Sequence, residues 1–305
     1  MKRKIIILIF IFLLGNLFSA QDELFITRGK AGSAACFLNS FFESYGVSTA
    51  GAIVSTGDTI ETIFWNPALL SLLTGTRFLI GGSILPADRY FSYISLAYPF
   101  GENNDKGFGI TLLNSYSGDI ISYDENENLG DNLNYIGNSL IISYARPFDI
   151  IKAGINFKLA NEMIQKNYSY GLSFDLGLTV TPPLPIQLGI ALKNFPGLSK
   201  WQGQKKVDLI ENQVLISVGY KSFSKSTKVG LTFLKESNDD EIYVNLGAEI
   251  ALASFMDVRF GFFKGNFSGG IGLNFSFMRI NYAFYNDSFL DLGEYSHLIS
   301  TVLLF

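Results

Sequence analysis

The segment EIYVNLGAEIAL sets Ile242, Val244, Leu246, Ala248, Ile250 and Leu252 against Tyr243, Asn245, Gly247, Glu249 and Ala251. Successive side chains of an extended chain point to opposite sides, so this is a strand with one apolar and one mixed face. YGLSFDLGLTV, QLGIALK, MDVRFGF, FSGGIGLNFSF and MRINYAF repeat the pattern. In FSGGIGLNFSF one face carries Phe267, Ile271, Leu273, Phe275 and Phe277, and the other Ser268, Gly270, Gly272, Asn274 and Ser276. The Ser/Gly/Asn face has too few charges for the water side of a soluble sandwich. It suits the interior of a barrel whose Phe/Ile/Leu face meets lipid. Alternating segments of about ten residues broken by turns are the mark of a transmembrane β-barrel. A closed barrel leaves no backbone group unpaired in the bilayer.

About fourteen such segments can be traced. They begin near Thr76, Arg89, Gly107, Tyr135, Ile150, Tyr168, Ile186, Glu211, Ser226, Glu241, Met256, Phe267, Met278 and Glu294. The two longest connections, near 119–134 and 196–210, follow the third and seventh segments, and KESNDDE and NDSFLDLG follow the ninth and thirteenth. Most even-numbered segments end in tight turns such as PFD and TPPLP, with GENNDK the longest exception. Outer-membrane barrels have long outer loops and short periplasmic turns. This predicts an all-β, fourteen-stranded antiparallel outer-membrane barrel with both termini periplasmic.

Composition removes several alternatives. The chain has 305 residues, 48% hydrophobic and only 16% charged, whereas soluble domains carry about 25% charged residues. The one long apolar run, IIILIFIFLL, follows Lys2, Arg3 and Lys4 and precedes Ser19 and Ala20. It is too short for a spanning helix and reads as an exported leader, residues 1–20. The single cysteine, Cys36, excludes an internal disulfide framework and is expected to be a packed small residue. A net charge of −4, with acids gathered in loop-like stretches, argues against nucleic acid as a partner.

Residues 21–75 lack sustained alternation and are expected to plug the lumen of a barrel spanning 76–305. A fourteen-stranded lumen is too wide for side chains alone to fill. Within FWNPALLSLL, Asn66 is a good helix N-cap and Pro67 suits the first helical position, so a short helix is expected there. Asp175, Glu249, Arg259 and Arg279 fall on the lumen-facing side of their strands. An Arg or Lys on the lipid face would cost about 2–4 kcal/mol at mid-membrane. Glu249, Arg259 and Arg279 are expected to form a structural ion network, since intramembrane charges pair. Lys152, Lys158, Lys193 and Lys228 share the inward face and could attract a carboxylate. The only histidine, His297, adjoins Ser296, but neighbours on a strand point to opposite faces and make no dyad. With no nucleophile–base pair, metal-ligand spacing or phosphate-cradling loop, no enzyme, cofactor or metal is expected.

DTIETIFWNPALLSLL resembles the "NPA" segment of the PorV/PorQ-like outer-membrane family, itself similar to the FadL-type fatty-acid transporters. AGINFKL, DLGL, LGAEIALASFMDVRFGFF and NYAF…LGEYSHLISTVLLF add to the resemblance, which spans most of the chain after the leader. It implies fourteen strands, an N-terminal hatch of small helices, and passage of a hydrophobic solute such as a long-chain fatty acid. Phe64, Trp65, Asn66, Pro67, Ala68, Leu69, Leu70 and Leu73 would form the hatch and line or gate the pathway. The alternatives it implies are an accessory role in type IX protein secretion, with secretion-system components as partners at the outer loops, or a structural surface role. Phe305, an aromatic last residue, resembles the signal by which the barrel-assembly machinery recognises its clients.

Overall fold

A computed structural model describes residues 34–123, 128–224, 226–286 and 295–305. The expected leader (residues 1–20), the first part of the expected hatch (residues 21–33) and most of NDSFLDLG lie outside the described residues. Sixteen strands form one sheet: β1(Arg77–Leu85), β2(Arg89–Phe100), β3(Lys106–Tyr123), β4(Leu129–Phe148), β5(Ile151–Ile164), β6(Asn167–Val180), β7(Ile186–Lys193), β8(Gly197–Trp201), β9(Asp208–Leu209), β10(Gln213–Lys221), β11(Thr227–Glu236), β12(Ile242–Ala253), β13(Met256–Phe263), β14(Asn266–Asn274), β15(Met278–Asn286) and β16(Tyr295–Leu304). Fourteen of them make a closed antiparallel barrel. β1 pairs with β16 from Arg77↔Leu304 to Ile84↔His297, and β5 pairs with β6 along its whole length.

The alternation read from the sequence becomes an inside and an outside. On β12, Val244, Leu246 and Ile250 are exposed outward while Asn245 and Glu249 are buried inward. Phe260 and Phe262 on β13 and Phe267 and Ile271 on β14 continue the outward apolar surface. A wall this apolar is stable only against lipid. Ser296, Leu298, Ser300 and Val302 of β16 all face in.

Three expectations about the barrel wall need correction. Residues 119–134 are not mainly loop: β3 runs on to Tyr123 and β4 begins at Leu129, because Ile120↔Leu133 and Ile121↔Asn132 continue the ladder past a bulge after Ser117. Residues 196–210 hold a second hairpin, β8–β9. β8 takes over the edge of β6 where β7 stops, with Ser173↔Gly197 following Leu176↔Leu192. β14 ends at Asn274, so Phe275 and Phe277 lie in the turn to β15, still exposed.

The barrel encloses residues 34–75. These form a 3-10 turn Cys36–Asn39, the helices α1(Ser44–Ser48) and α2(Ile53–Thr56), and 3-10 turns Ile60–Phe64 and Pro67–Leu72. None is long and apolar enough to cross a membrane among the described residues. Cys36 is exposed rather than packed, because its turn directs Phe37, Leu38 and Asn39 inward instead.

Candidate functional site

Asn66 caps the turn Pro67–Leu72 through a hydrogen bond from Ala68 N to its Oδ1 at 3.1 Å. Its amide Nδ2 donates to Val54 O at 2.8 Å and to Thr179 Oγ1 of β6 at 3.0 Å. The NPA turn therefore satisfies its own orphan amide and is fastened to the wall. Two glycines admit it. A Cβ on Gly177 would sit 2.2 Å from Asn66 Oδ1, and one on Gly154 2.4 Å from Ala68 N.

A second attachment is ionic. Arg259 Nε meets Glu249 at 3.0 Å, and Arg279 meets Asp257 at 2.8 Å and Glu249 at 3.4 Å. Arg259 also pairs with Asp257. Lys228 joins Glu249 and Asp58, each at 2.9 Å, and Lys221 reaches Asp58 at 2.8 Å. Into this cluster the inner segment inserts Tyr45, whose ring lies 4.3 Å from Arg259 and 4.9 Å from Arg279 and whose hydroxyl accepts from Lys228. Cations over an aromatic face are attracted by its quadrupole. Glu61 adds a bond from Asn281 at 2.8 Å, and Arg259 bonds Asn281 in turn. Burial pushes the Asp58 carboxyl up, but the Lys228 and Lys221 ammonium groups outweigh it and hold it well below the usual range.

Asp175 belongs to a different group. It pairs with Lys158 at 2.7 Å and accepts from Asn156 Nδ2 and the Asn194 amide. Asn156 also donates to Ile63 O, tying β5 to the inner segment.

Between the two groups lies an amphipathic cavity of about 20 Å³, bordered by Leu38, Phe42, Ile63, Phe64, Leu113 and Ile141, with Phe41, Glu43 and Trp65 nearby. That is room for a water, not for a solute. Phe42 stacks on Phe91 at 5.0 Å, and Phe64 meets Tyr93 at 5.3 Å. Lys158 and Lys193 both reach the cavity. Lys158 is neutralised by Asp175. Lys193 is only 5% exposed and has no ion-pair partner among the described residues; its neighbour is the face of Phe41, 5.5 Å away. Glu43 accepts from Trp65 Nε1 at 2.5 Å and from Tyr45 N at 2.8 Å, capping α1. Burial, and then the charge of Glu61, push its carboxyl up to about 8 against those hydrogen bonds.

Of the hatch residues singled out in the sequence, Phe64 and Trp65 border the cavity. Asn66, Pro67, Ala68, Leu69 and Leu70 are buried in the turn packed on β3 to β6, and Leu73 is buried just after it. Lys152 stays near its turn, bonded to Asp149 O. Tyr45, Asp58, Glu61, Lys221 and Asp257 were not singled out; only the inward placement of Asp257 and Lys221 was available from alternation. His297 faces outward and bonds Tyr282 Oη at 2.8 Å, away from Ser296. Among the described residues no cluster of His, Cys, Asp and Glu could hold a metal.

The fold is that of FadL-type channels. The toluene transporter TodX of Pseudomonas putida superposes with a TM-score of 0.62 at 12% identity, over 87% of this chain and 99% of that one. The monoaromatic hydrocarbon channel CymD gives 0.59 at 13% identity, over 86% and 98%. A Pseudomonas aeruginosa FadL homologue gives 0.56 at 10% identity, over 86% and 98%. No family model and no curated protein matches the chain.

Proposed function

We propose that the chain is an outer-membrane channel for a hydrophobic small molecule, with residues 21–75 as its hatch, 76–305 as its barrel and the loop-bearing end of the barrel outside. The observation that carries this reading is the cavity lined by Phe42, Phe64, Leu113 and Ile141, with Lys193, which has no ion-pair partner among the described residues, at its edge. The apolar lining suits a hydrocarbon chain, and Lys193 suits a carboxylate, so a long-chain fatty acid is the solute we favour over a neutral hydrocarbon. A charge-assisted hydrogen bond offsets the desolvation of both groups. The cavity as it stands has room only for a water, so passage requires the hatch to shift. Phe305, whose amide donates to Thr76 O at 3.0 Å while its ring stays exposed, is the signal for barrel assembly in this reading.

Binding of labelled oleate to the purified protein tests the proposal. Saturable binding, weakened about tenfold or more by Lys193→Met, is the expected result. Absence of saturable binding of both oleate and dodecane would sink it.

A further inference from the structure

The outward face of β10 to β15 carries, between the strand ends, only Val, Leu, Ile, Phe, Met, Ala, Gly and Tyr. On β2 to β5 polar side chains interrupt that surface along one row that crosses all four strands; β4 also carries Asn132, Asn134 and Arg146 outward, nearer its ends. Ser92 lies opposite Asn114, Asn114 opposite Asn138, and Asn138 opposite Asn161. All four alternate outward, with the apolar residues of their strands. Toward the loop end the next outward residues are Tyr90, Tyr116, Ile136 and Met163, and on β4 the polar Asn134 and Asn132 lie beyond Ile136. Toward the other end follow Ile94, Leu112, Leu140 and Leu159. The row therefore lies just inside the loop-end edge of the apolar band, at the depth where acyl chains join their head groups.

The row is only partly satisfied from within. Asn114 Nδ2 donates to Asn138 Oδ1 at 2.8 Å, and Asn161 Nδ2 donates to Ser169 O at 2.9 Å. Among the described residues, no protein partner engages Asn114 Oδ1, Asn138 Nδ2, Asn161 Oδ1 or the Ser92 hydroxyl. Unpaired amides facing hydrocarbon are unfavourable unless something else meets them. The same residues line a groove of about 620 Å³ that crosses β1 to β6, with Ile80, Leu112 and Tyr170 among its exposed walls.

We propose that this groove holds a membrane lipid of the loop-end leaflet, bound through the uncharged hydroxyl, ester or amide groups at the start of its acyl chains. Charge selects the chemistry: no Lys, Arg, Asp or Glu lines the groove, so nothing there matches a phosphate or an ammonium. Shape selects lipid over a second copy. A two-fold interface sets the same patch against itself, and a groove facing its own copy leaves its volume unfilled. The proposal needs the barrel to span a membrane but does not depend on what passes through the lumen.

The test uses the full chain, purified in mild detergent and exposed to an equimolar mixture of 1,2-dioleoylglycerol and dioleoylphosphatidylglycerol, with retained lipid read by native mass spectrometry. Dioleoylglycerol should be retained in preference, and Asn114→Leu with Asn138→Leu and Asn161→Leu should lower retention about tenfold. Asn138→Gln should keep it. Unchanged heat-modifiable migration on gels shows that the barrel of each variant is folded; should the triple variant not fold, Asn138→Leu alone is read for a loss of about threefold. Equal retention by wild type and variant overturns the proposal. So does preference for the phosphatidylglycerol, or a wild-type dimer that the leucine variants convert to monomer.

Discussion

Asn66 Nδ2 lies 3.0 Å from Thr179 Oγ1, so the NPA turn is bonded to β6 and not merely packed on it. The same side chain caps the turn. Replacing it with Ala removes both, and loss of a cap alone costs about 1 kcal/mol. Asn66→Ala should speed hydrogen exchange across residues 60–75 while leaving the barrel's heat-modifiable gel shift intact. Gly177→Ala should do the same by a different route, since its Cβ would collide with Asn66 Oδ1.

Much of this architecture is legible in the sequence, for reasons that differ along the chain. The period of two survives on β12 because lipid on one side and the inner segment on the other constrain alternate residues. The hairpin β8–β9 leaves no such trace: its strands are five and two residues long, and SKWQGQKKVDL has no sustained alternation. Asn66 was readable because capping is local. Tyr45, Asp58 and Glu61 were not, because their partners Arg259, Lys228 and Asn281 lie far along the chain and no spacing rule links them. Asp175 was grouped with Glu249 by its face, yet the barrel sets it against Lys158.

Glu43 should make the stability of the inner segment depend on pH. Its carboxyl titrates near 8 when folded, above its ordinary value of 4.5. The folded state then holds a proton that the unfolded state has lost, so stability falls as pH rises from about 4.5 to about 8. Trp65 fluorescence melts in detergent should show this decline, and Glu43→Gln should flatten it. An unaltered slope in the variant would assign the dependence elsewhere.

Asp58 acts with the opposite sign. Its depressed carboxyl contributes stability that is present above the unfolded value of 3.8 and lost as pH falls through the folded one. Asp58→Asn should loosen the hatch at neutral pH, seen as faster proteolysis of residues 40–60, and make little difference in strong acid.

Lys158 and Asp175 are almost fully buried together. Removing one partner of such a pair typically costs about 3–5 kcal/mol because the other is left charged and alone. Lys158→Met should lower the melting temperature sharply. Lys158→Met with Asp175→Leu should recover part of the loss, a non-additivity that a thermal melt measures directly.

In the proposed function a hydrophobic solute crosses the barrel when the hatch moves away from β6. Uptake of radiolabelled oleate by cells tests it, comparing an empty vector with a Cys36→Ser chain that carries Asn66→Cys and Thr179→Cys, oxidised or reduced. Uptake should stay at the empty-vector rate while the hatch is locked by the disulfide and rise once it is reduced. Uptake equal to the empty vector for the intact chain, or undiminished by the lock, would contradict it.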